Sequence, residues 1–437
     1  MAKPDTVKII RPSRRLEGEV VLPGDKSISH RAVILNSLAR GEARIDNFSP
    51  GQDCLATVRC LRALGVKIRK GGPANSPTVF MSGTGADGLK EATNVLDARN
   101  SATTMRLLAG LLSSRPFLSV ITGDTSLRKR PMGRLVEPLR SMGADIRARG
   151  GDSFAPLVIR GKKLRGIDFA LSVASAQIKS AVLLAGLFAE GRTVVHQPVR
   201  SRDHTERMLR CMGAKLDVEG HSVSLQPLSR PLVPFSLRMP GDISSAAYFL
   251  VAGAIHPDAR ILVRDCGINP TRTGVIDILL AMGARIKIDN ERLEGGEPLA
   301  DIVVESSRLR GVEIAGDIIA RLIDEIPVLA VASCFAEGKT VIKDAAELRV
   351  KESDRIATVA SELSRLGARI EPLPDGMVIY GKKSLSGTKV DSHSDHRLAM
   401  SLAIAGLMAR GETSIGHAQA ADVSYPAFWD TLRRILR

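Results

Sequence analysis

Apolar residues along the chain recur in one order: an Ala- and Leu-rich stretch, a Gly or polar break, and then a β-branched run. The apolar stretch predicts a helix buried on nearly every side, and the β-branched run predicts a strand. Self-similarity at a regular period predicts one structural unit that is repeated and stacked. The pattern occurs six times, in residues 32–45, 105–120, 180–195, 246–263, 328–342 and 399–415.

A second pattern alternates with the first and predicts an amphipathic helix that ends at a glycine and is followed by a strand. Together the two patterns predict six β-α-β-α-β-β units that fill the chain. The last unit lacks its final strands, and we expect residues 7–10 to supply one of them. The second pattern occurs at 61–68, 139–146, 209–216, 279–286 and 363–370, with a shortened copy at 432–437.

The chain of 437 residues is too long for one hydrophobic core and suits two domains of three units each. We predict an α/β fold with an N-terminal domain at 22–238 and a C-terminal domain at 239–437, which residues 1–21 complete. The five cysteines show no paired spacing, so we expect reduced, buried thiols. No transmembrane segment or secretory signal is expected, which predicts a cytoplasmic protein without membrane partners.

The formal net charge of +15 calls for an anionic partner. Nucleic acid is disfavoured because aromatic residues make up 3% of the chain and the basic residues are not clustered. A small polyanionic substrate drawn into a positively charged cleft is the alternative. Seven cations fall at or near predicted helix starts, where free N–H groups attract anions. They are Lys26, Arg31, Arg130, Arg202, Lys351, Arg355 and Arg397.

Other polar or small residues share these helix starts. Asp324 lies among cations that would keep it ionised, so it is a candidate general base. Lys351 and Arg355 are expected four residues apart on one helix face, with Glu352 between them. No dinucleotide, Walker or zinc pattern occurs, so we expect no cofactor and no metal. The further candidates are Ser27, Asn100, Ala102, Ser175, Ala176, Gln177 and His396.

Seven motifs together resemble the 5-enolpyruvylshikimate-3-phosphate (EPSP) synthase family, and they span residues 24 to 400 in the family's order. The resemblance implies two inside-out α/β domains of three units each. The motifs are GDKSISHR (24–31), the N-S-x-T run at 100–103, RPMGRL (130–135), SAQIKSA (175–181), IDEIP (323–327), VKESDR (350–355) and DHRLAM (395–400).

The resemblance also implies an activity: transfer of the enolpyruvyl group of phosphoenolpyruvate to the 5-hydroxyl of shikimate 3-phosphate, by a monomer, with release of phosphate. Asp324 would take the hydroxyl proton, Glu352 would protonate the methylene carbon, and Lys351 would bind substrate and share proton transfers. Lys26 would contact both substrates and join the catalytic group. Shikimate 3-phosphate would bind Ser27, Arg31, Ser175, Gln177 and Arg202. Phosphoenolpyruvate would bind Arg130, Arg355 and Arg397, near Ala102. The other implied contacts are Asn100, Ala176 and His396.

Two positions depart from the family pattern. Ala102 replaces a Gly that many members have, as in glyphosate-tolerant class II enzymes, so we expect tolerance. Residues 423–426 lack a Lys that many members carry. Two other functions remain open. The sister enzyme, UDP-N-acetylglucosamine enolpyruvyl transferase, typically has a Cys in its mobile loop, and residues 124–135 contain none. A basic repeat protein that binds nucleic acid would have no need of acids such as Asp324.

Overall fold

The computed structural model describes residues 6–85, 87–382 and 384–437. The chain divides into two compact units. Of the described residues, the N-terminal unit comprises those within 24–239 and 294–297, and the C-terminal unit comprises those within 6–23, 240–293 and 298–437. Residues 1–5, part of the segment expected to complete the C-terminal domain, lie outside the described residues.

Fourteen labelled helices occur in the described part of the chain, α1 to α7 in the N-terminal unit and α8 to α14 in the C-terminal unit. Short 3-10 turns lie at Leu127–Lys129, Ala346–Val350 and Ala418–Val423. The helices are α1 (Lys26–Ser37), α2 (Gln52–Ala63), α3 (Ala102–Leu112), α4 (Gly133–Ser141), α5 (Arg149–Asp152), α6 (Ala176–Gly186), α7 (His204–Cys211), α8 (Ile243–Ile255), α9 (Gly274–Ala281), α10 (Ile318–Leu322), α11 (Ile326–Cys334), α12 (Arg355–Arg365), α13 (His396–Leu407) and α14 (Phe428–Ile435).

The strands lie before and between the helices in runs of one to four. They are β1 (Lys8–Ile10), β2 (Leu16–Val21), β3 (Arg40–Asp46), β4 (Lys67–Gly71), β5 (Thr78–Thr84), β6 (Leu96–Asp97), β7 (Leu118–Thr122), β8 (Asp145–Ala148), β9 (Phe154–Arg160), β10 (Leu164–Arg165), β11 (Asp168–Ala170), β12 (Ala189–Glu190), β13 (Thr193–His196), β14 (Leu216–Glu219), β15 (Ser222–Leu225), β16 (Leu237–Arg238), β17 (Ala259–Gly267), β18 (Arg285–Glu294), β19 (Glu297–Glu305), β20 (Glu313–Ile314), β21 (Lys339–Ile342), β22 (Arg369–Leu373), β23 (Gly376–Tyr380), β24 (Leu385–Ser386), β25 (Lys389–Asp391), β26 (Ala409–Arg410) and β27 (Thr413–Gly416).

The main sheets repeat one topology, in which a parallel pair is followed by antiparallel neighbours. The sheet order is β16-β3-β5-β4, β6-β7-β9-β8 and β11-β13-β15-β14 in the N-terminal unit. In the C-terminal unit it is β18-β19-β17-β2, β20-β21-β23-β22 and β1-β27-β25. The last sheet has three strands, and β1 pairs antiparallel with β27. This pairing confirms the strand that the sequence predicted within residues 7–10.

The two helix patterns of the sequence become inner and outer helices. The inner helices α1, α3, α6, α8, α11 and α13 are buried on nearly every side. Their close packing requires small residues. A Cβ on Gly110 in α3 would lie 2.1 Å from the backbone oxygen of Ala181 in α6, so a larger residue would push the two helices apart. Each unit has its own hydrophobic core around these helices.

The glycines that end the outer helices adopt the left-handed backbone conformation predicted for them. Their φ angles lie between +88° and +94°, a region that costs other L-residues energy. They are Gly65, Gly143, Gly213, Gly283 and Gly367; the φ of Gly65 is +90° and that of Gly367 is +89°.

The tip of the β18–β19 hairpin, residues 294–297, belongs to the N-terminal unit although its strands belong to the C-terminal unit. Glu297 Oε1 lies 2.7 Å from His204 Nδ1, and each side chain is 1% exposed. Arg207 donates a hydrogen bond to the Gly296 carbonyl oxygen at 3.0 Å. The N-terminal unit therefore depends on four residues from a distant part of the chain.

All five cysteines are free thiols, in agreement with the expected reduced state. Four are buried, but Cys211 at the end of α7 is exposed, so the expectation of uniformly buried thiols was wrong for this residue. Burial raises the pKa of Cys60 and of Cys334 to about 12. In the described part of the chain, no helix combines the length and apolarity needed to cross a bilayer.

Candidate active site

Three inner helices of the N-terminal unit begin at predicted site residues. Lys26, Ala102 and Ala176 are the first residues of α1, α3 and α6. Each helix is capped by the preceding side chain: Asp25, Ser101 and Ser175 accept hydrogen bonds from first-turn backbone N–H groups. The local sequence thus fixes the helix starts at the positions that were singled out for anion binding.

Arg31 is almost fully buried and is held by neutral oxygens. Its Nε donates to Thr205 Oγ1 at 2.7 Å, its Nη2 to Ser180 Oγ at 2.8 Å, and its Nη1 to the Ser27 carbonyl oxygen at 2.9 Å. Burial lowers the pKa of Arg31 to about 10, a shift that Glu206 opposes. Arg31 therefore remains protonated at neutral pH and ties α1 to α6 and α7.

Lys26 and Arg202 both contribute a cation at the start of α1. The Lys26 ammonium pairs with Asp53 of α2 at 3.1 Å. The Arg202 guanidinium lies just before α7, and its Nη1 donates to Ser27 Oγ at 3.4 Å. Arg202 thus contacts the Ser27 hydroxyl, and Arg31 contacts the Ser27 carbonyl oxygen. The structure therefore brings Ser27, Arg31 and Arg202 together as predicted.

The starts of α3 and α6 are joined by side-chain hydrogen bonds. Gln177 Nε2 donates to Thr103 Oγ1 at 2.9 Å, and its Oε1 accepts from Arg106 Nη1 at 2.6 Å. Arg106 also donates to the carbonyl oxygen of Pro131 at 3.1 Å, next to Arg130. Arg106 was not among the predicted site residues, although its place one turn after Ala102 could have indicated it.

Asn100 and Arg130 contact each other directly. Arg130 is buried, and its Nη2 donates to Asn100 Oδ1 at 2.9 Å. Asn100 Nδ2 in turn donates to Asp124 Oδ2 at 2.8 Å. A neutral amide therefore orients Arg130, and its positive charge is not cancelled by that contact.

In the C-terminal unit, Arg355 links three carboxylates. It is the first residue of α12 and is 1% exposed. Its Nε donates to Asp395 Oδ2 at 2.8 Å, its Nη2 to Glu352 Oε2 at 2.6 Å, and its Nη1 to Asp324 Oδ1 at 3.4 Å. Burial alone would lower the pKa of Arg355, but Asp395 and Glu352 raise it above its ordinary value.

Lys351 and Glu352 do not lie on a helix, contrary to the sequence prediction. The chain leaves a 3-10 turn at Val350, and α12 begins at Arg355, where Asp354 accepts a hydrogen bond from the backbone N–H of Ala357. Asp354 is thus an N-cap that stops the helix from extending backwards. Lys351 and Glu352 are placed by the loop before α12 rather than by a helix face.

The pKa of Lys351 is lowered, chiefly by burial. Arg355 lowers it further, whereas Asp324 and Glu352 oppose the shift. A lysine with a lowered pKa gives up and regains a proton more readily than a solvated one. The environment of Lys351 therefore suits a side chain that shares in proton transfer.

Arg397 lies between two neighbouring carboxylates. Its Nη2 is 3.7 Å from Asp324 Oδ2, and its Nη1 is 3.8 Å from Glu325 Oε1. Among the described residues, the Arg397 guanidinium makes these ion pairs without a hydrogen bond from its side chain. Its donors are therefore oriented by charge and are suited to an incoming anion.

Glu325 connects the three inner helices of the C-terminal unit. It precedes α11 and is 1% exposed. Its carboxylate accepts a hydrogen bond from Ser244 in the first turn of α8 and lies 3.5 Å from Arg272 Nη2. Arg397, on α13, is the third neighbour. Sequence analysis missed Arg272, although it precedes an outer helix just as Arg130 and Arg202 do.

His396 begins α13 and is 1% exposed. Its neighbour Asp395 caps the helix by accepting from the Arg397 N–H at 2.8 Å. Burial opposes ionisation of Asp395, but Arg355 outweighs that effect and holds the pKa of Asp395 below its ordinary value. Asp395 stays charged and fixes both Arg355 and the backbone of the Arg397 helix.

Each unit thus presents its own group of predicted residues. The N-terminal group offers cations, hydroxyls and an amide at helix starts, which suits an anionic, hydroxylated ligand. The C-terminal group combines two arginines and a lysine with Asp324 and Glu352, which suits anion binding with proton transfer. Among the described residues, no cluster of three or more potential metal ligands was found.

A scan against protein families and searches of known proteins and structures give a consistent result. The family model for EPSP synthase (3-phosphoshikimate 1-carboxyvinyltransferase) matches residues 10–432. A 3-phosphoshikimate 1-carboxyvinyltransferase of Desulforudis audaxviator is 56% identical over 426 residues, 98% of both chains. The enzyme of that name from Gloeobacter violaceus is 56% identical over 427 residues, also 98% of both chains.

The structure is also similar to solved ones. EPSP synthase from Acinetobacter baumannii superposes with a TM-score of 0.86 at 44% identity, covering 99% of this chain and 98% of that one. The enolpyruvyl transferase NikO from Streptomyces tendae gives a TM-score of 0.79 at 20% identity over 99% and 98%, which shows a shared fold. The predicted α/β class and two-domain fold are confirmed, and the chain belongs to the EPSP synthase (3-phosphoshikimate 1-carboxyvinyltransferase) family.

Proposed function

We propose that this protein transfers the enolpyruvyl group of phosphoenolpyruvate to the 5-hydroxyl of shikimate 3-phosphate, with release of phosphate. The family assignment and the two groups of residues described above support this proposal. The alternatives left open by the sequence, the sister transferase and a nucleic-acid scaffold, fit less well, because the relatives over nearly the full length carry the EPSP synthase name.

The N-terminal unit supplies the contacts to shikimate 3-phosphate in this proposal. Arg202 and Ser27, which lie within hydrogen-bond distance of each other, would bind its anionic groups together with Ser175 and Gln177. Arg31 is buried with all three guanidinium nitrogens on protein oxygens, so it would act in part by holding Ser27 in place. Lys26 would exchange its contact with Asp53 for the substrates.

The C-terminal unit supplies the proton-transfer groups. Asp324 takes the proton of the 5-hydroxyl as that oxygen forms a bond to C2 of phosphoenolpyruvate. Glu352 donates a proton to the methylene carbon, which gives a tetrahedral intermediate with a methyl group. The carbon–oxygen bond to phosphate then breaks, Glu352 regains a proton from the methyl group, and Asp324 returns its proton to the leaving phosphate. Lys351 assists through its lowered pKa.

One observation carries the proposal furthest: a single buried arginine joins the proposed base and the proposed acid. Arg355 contacts Asp324 and Glu352, while Asp395 holds it from a third direction. Arg397 would meet the donor anion with Arg130. A structural ion cluster would not need Lys351, with its lowered pKa, beside both acids.

The test is phosphate release with both substrates, compared with either substrate alone. We expect release only when shikimate 3-phosphate and phosphoenolpyruvate are both present. UDP-N-acetylglucosamine offered in place of shikimate 3-phosphate should release none. Release with the nucleotide sugar alone as acceptor would assign the chain to the sister reaction.

We further propose that Ala102 makes the enzyme tolerant of glyphosate. Ala102 is the first residue of α3 and is 7% exposed, so its methyl group lies in packed surroundings. An inhibitor longer than phosphoenolpyruvate would meet that methyl, at a cost of about 1–3 kcal/mol in a tight site. This corresponds to about 5- to 150-fold in affinity.

Ala102→Gly should therefore raise glyphosate sensitivity at least about tenfold by the same reasoning, with a smaller change in the Michaelis constant for phosphoenolpyruvate. Ala98→Gly, at a buried position before the helix, serves as the matched control and should leave the inhibition constant unchanged. Equal inhibition of the wild type and the Ala102→Gly variant would contradict the steric explanation.

The protein is proposed to act as a monomer in the cytoplasm with small-molecule substrates and without cofactor. Each unit has its own closed hydrophobic core, so neither needs a second copy to bury apolar surface. Light scattering during turnover at several concentrations tests the monomer, and a mass of two chains at the lowest active concentration would contradict it.

A further inference from the structure

A cavity of about 490 Å³ lies in the C-terminal unit, in a size range that holds small ligands. One side is formed by β1 and the segment that follows it, up to Arg14. The other side is formed by α14 from Trp429 onwards and by the chain after it, and Leu407 contributes from the end of α13. The proposed reaction makes no use of this cavity.

The cavity is separate from the predicted site residues. His396 begins α13, whereas Leu407 ends it. Eleven steps of about 1.5 Å place the two about 16 Å apart along the helix. The residues that line the cavity include none of the predicted substrate-binding or catalytic residues.

The floor of the cavity is apolar and partly aromatic. Ile10, Leu407 and Leu432 are buried, and the ring of Trp429 is half-buried beside them. A flat apolar group would cover this floor and remove it from water, which is favourable. Trp429 would add an offset or edge contact to an aromatic ring.

The rim of the cavity is basic. The Lys8 ammonium lies 5.9 Å from the centre of the Trp429 ring. Arg14 makes no ion pair with any residue that the structure describes, and the Arg433 pair with Asp430, at 3.4 Å, is between two exposed side chains. Surface pairs of this kind contribute little, so the rim retains positive charge for a ligand.

We propose that this cavity binds a small aromatic carboxylate, with its ring on the Trp429 floor and its carboxylate toward Lys8, Arg14 and Arg433. A bare phosphate would leave the apolar floor uncovered, and an uncharged aromatic would leave the rim cations without a counterion. The combination of a flat apolar floor and a cationic rim therefore selects a ligand that has both features.

Trp429 is the single tryptophan of the chain, so its fluorescence reports on this cavity directly. The probe is 3-phenylpropanoate, added to the full protein in the presence of saturating shikimate 3-phosphate and phosphoenolpyruvate. We expect a saturable change in emission with a dissociation constant of about 1 mM or tighter. Two partial probes, propanoate and 3-phenylpropan-1-ol, should each bind at least about tenfold more weakly.

A double variant with Arg14→Ala and Arg433→Ala tests the cationic rim. Both positions are exposed, so folding should be preserved, and we expect binding to weaken about tenfold while turnover is unchanged. Arg285→Ala, at an arginine whose side chain is 65% exposed elsewhere in the unit, is the matched control and should bind the probe normally.

Three results would overturn the proposal. The first is a linear emission change that never saturates. The second is equal affinity for 3-phenylpropan-1-ol, which would mean that the rim charges take no part. The third is a signal that disappears under saturating substrates, which would place the probe at the substrate site. None of these results depends on whether the proposed reaction is correct.

Discussion

The two units hold their predicted site cations by different means. In the N-terminal unit Arg31 donates to two hydroxyls and a carbonyl, and Arg130 donates to an amide. Lys26 pairs with the Asp53 carboxylate. In the C-terminal unit Arg355 and Arg397 are held by carboxylates.

This difference separates two tasks. A neutral acceptor orients a cation without cancelling its charge, so these contacts of Arg31 and Arg130 leave positive charge for a phosphorylated ligand. A carboxylate cancels charge but brings a group that can accept or donate a proton. Substitutions of site residues in the N-terminal unit should therefore act mainly on anion binding. Substitutions of the site carboxylates in the C-terminal unit should act mainly on proton transfer.

The sharpest test of this division is the removal of the proposed base. Asp324→Asn should lower turnover by about 10²–10⁴, because an amide cannot accept the hydroxyl proton. Binding of shikimate 3-phosphate, measured by calorimetry, should stay within a few-fold of the wild type. Glu352→Gln should also lower turnover, because an amide cannot protonate the methylene carbon of phosphoenolpyruvate.

Asp317→Asn, at an exposed position before α10, is the matched control and should turn over normally. Near-normal turnover in both the Asp324 and Glu352 variants would mean that the proton-transfer groups lie elsewhere.

The next largest effect concerns stability in acid. The pKa of Asp395 is lowered in the folded state, so its stabilising effect is complete above its unfolded pKa of about 3.9 and is lost as the pH falls through the folded value. Asp395→Asn leaves Arg355 without one buried partner and should cost about 3–5 kcal/mol at neutral pH. Urea unfolding of the wild type and the variant, at pH 7 and in acid, measures both the cost of the substitution and its dependence on pH.

The difference between wild type and the Asp395 variant should shrink as the pH falls below about 4, because the carboxyl of the unfolded wild type takes up a proton there while the folded carboxyl, with its lowered pKa, is still charged. The matched control is Asp145→Asn in β8, which removes an exposed pair with Arg147 at 4.0 Å and should change stability at pH 7 by less than about 1 kcal/mol. A stability difference that stays constant through the acid range would contradict the charge-based role.

Two arginines should separate the substrates. Arg202→Ala should raise the Michaelis constant for shikimate 3-phosphate, and Arg397→Ala should raise that for phosphoenolpyruvate. Charge-assisted hydrogen bonds contribute about 1.5–3 kcal/mol, or about 10- to 150-fold. Arg230→Ala, at an exposed arginine of the N-terminal unit, is the control. The reverse pattern in steady-state kinetics would show that the two subsites are misassigned.

The smallest effect should come from a neutral acceptor. Thr205→Val keeps the shape of the side chain but removes the oxygen that accepts from Arg31 Nε, at a cost of about 1–3 kcal/mol of stability. Because a hydroxyl does not titrate, this loss should be the same at pH 5 and pH 8. A strongly pH-dependent loss would show that a titrating group, rather than the Thr205 hydroxyl, controls Arg31.

The sequence predicted the parts of the site that depend on local signals. The helices that start at Lys26, Ala102 and Ala176 follow from the capping residues before them. The repeat pattern predicted that these three helix starts are equivalent positions. The prediction that Lys351 and Glu352 lie on a helix was wrong, because α12 begins only at Arg355. The residues around Glu352 favour helices, and the cap at Asp354 was not recognised.

Contacts across the chain could not be predicted in this way. From the sequence, Asp395 belongs only to a motif at a predicted helix start, but in the structure it accepts a hydrogen bond from Arg355, 40 residues away in sequence. Arg272 and Glu325 are 53 residues apart and meet through tertiary packing. Such pairs leave no local pattern in the sequence. The resemblance to the family implied a role for Arg355 but did not indicate which residues hold its side chain in place.

The hairpin tip at 294–297 limits how the gene can be divided. A fragment encoding residues 24–239 alone would lack Glu297 and would leave His204 buried without its carboxylate partner. Such a fragment should express as an unstable or aggregating polypeptide, and a short synthetic peptide spanning the tip is a rational candidate for complementing it in trans. Split reporters and circular permutants of this chain are therefore better opened at loops that leave the hairpin and α7 on the same polypeptide.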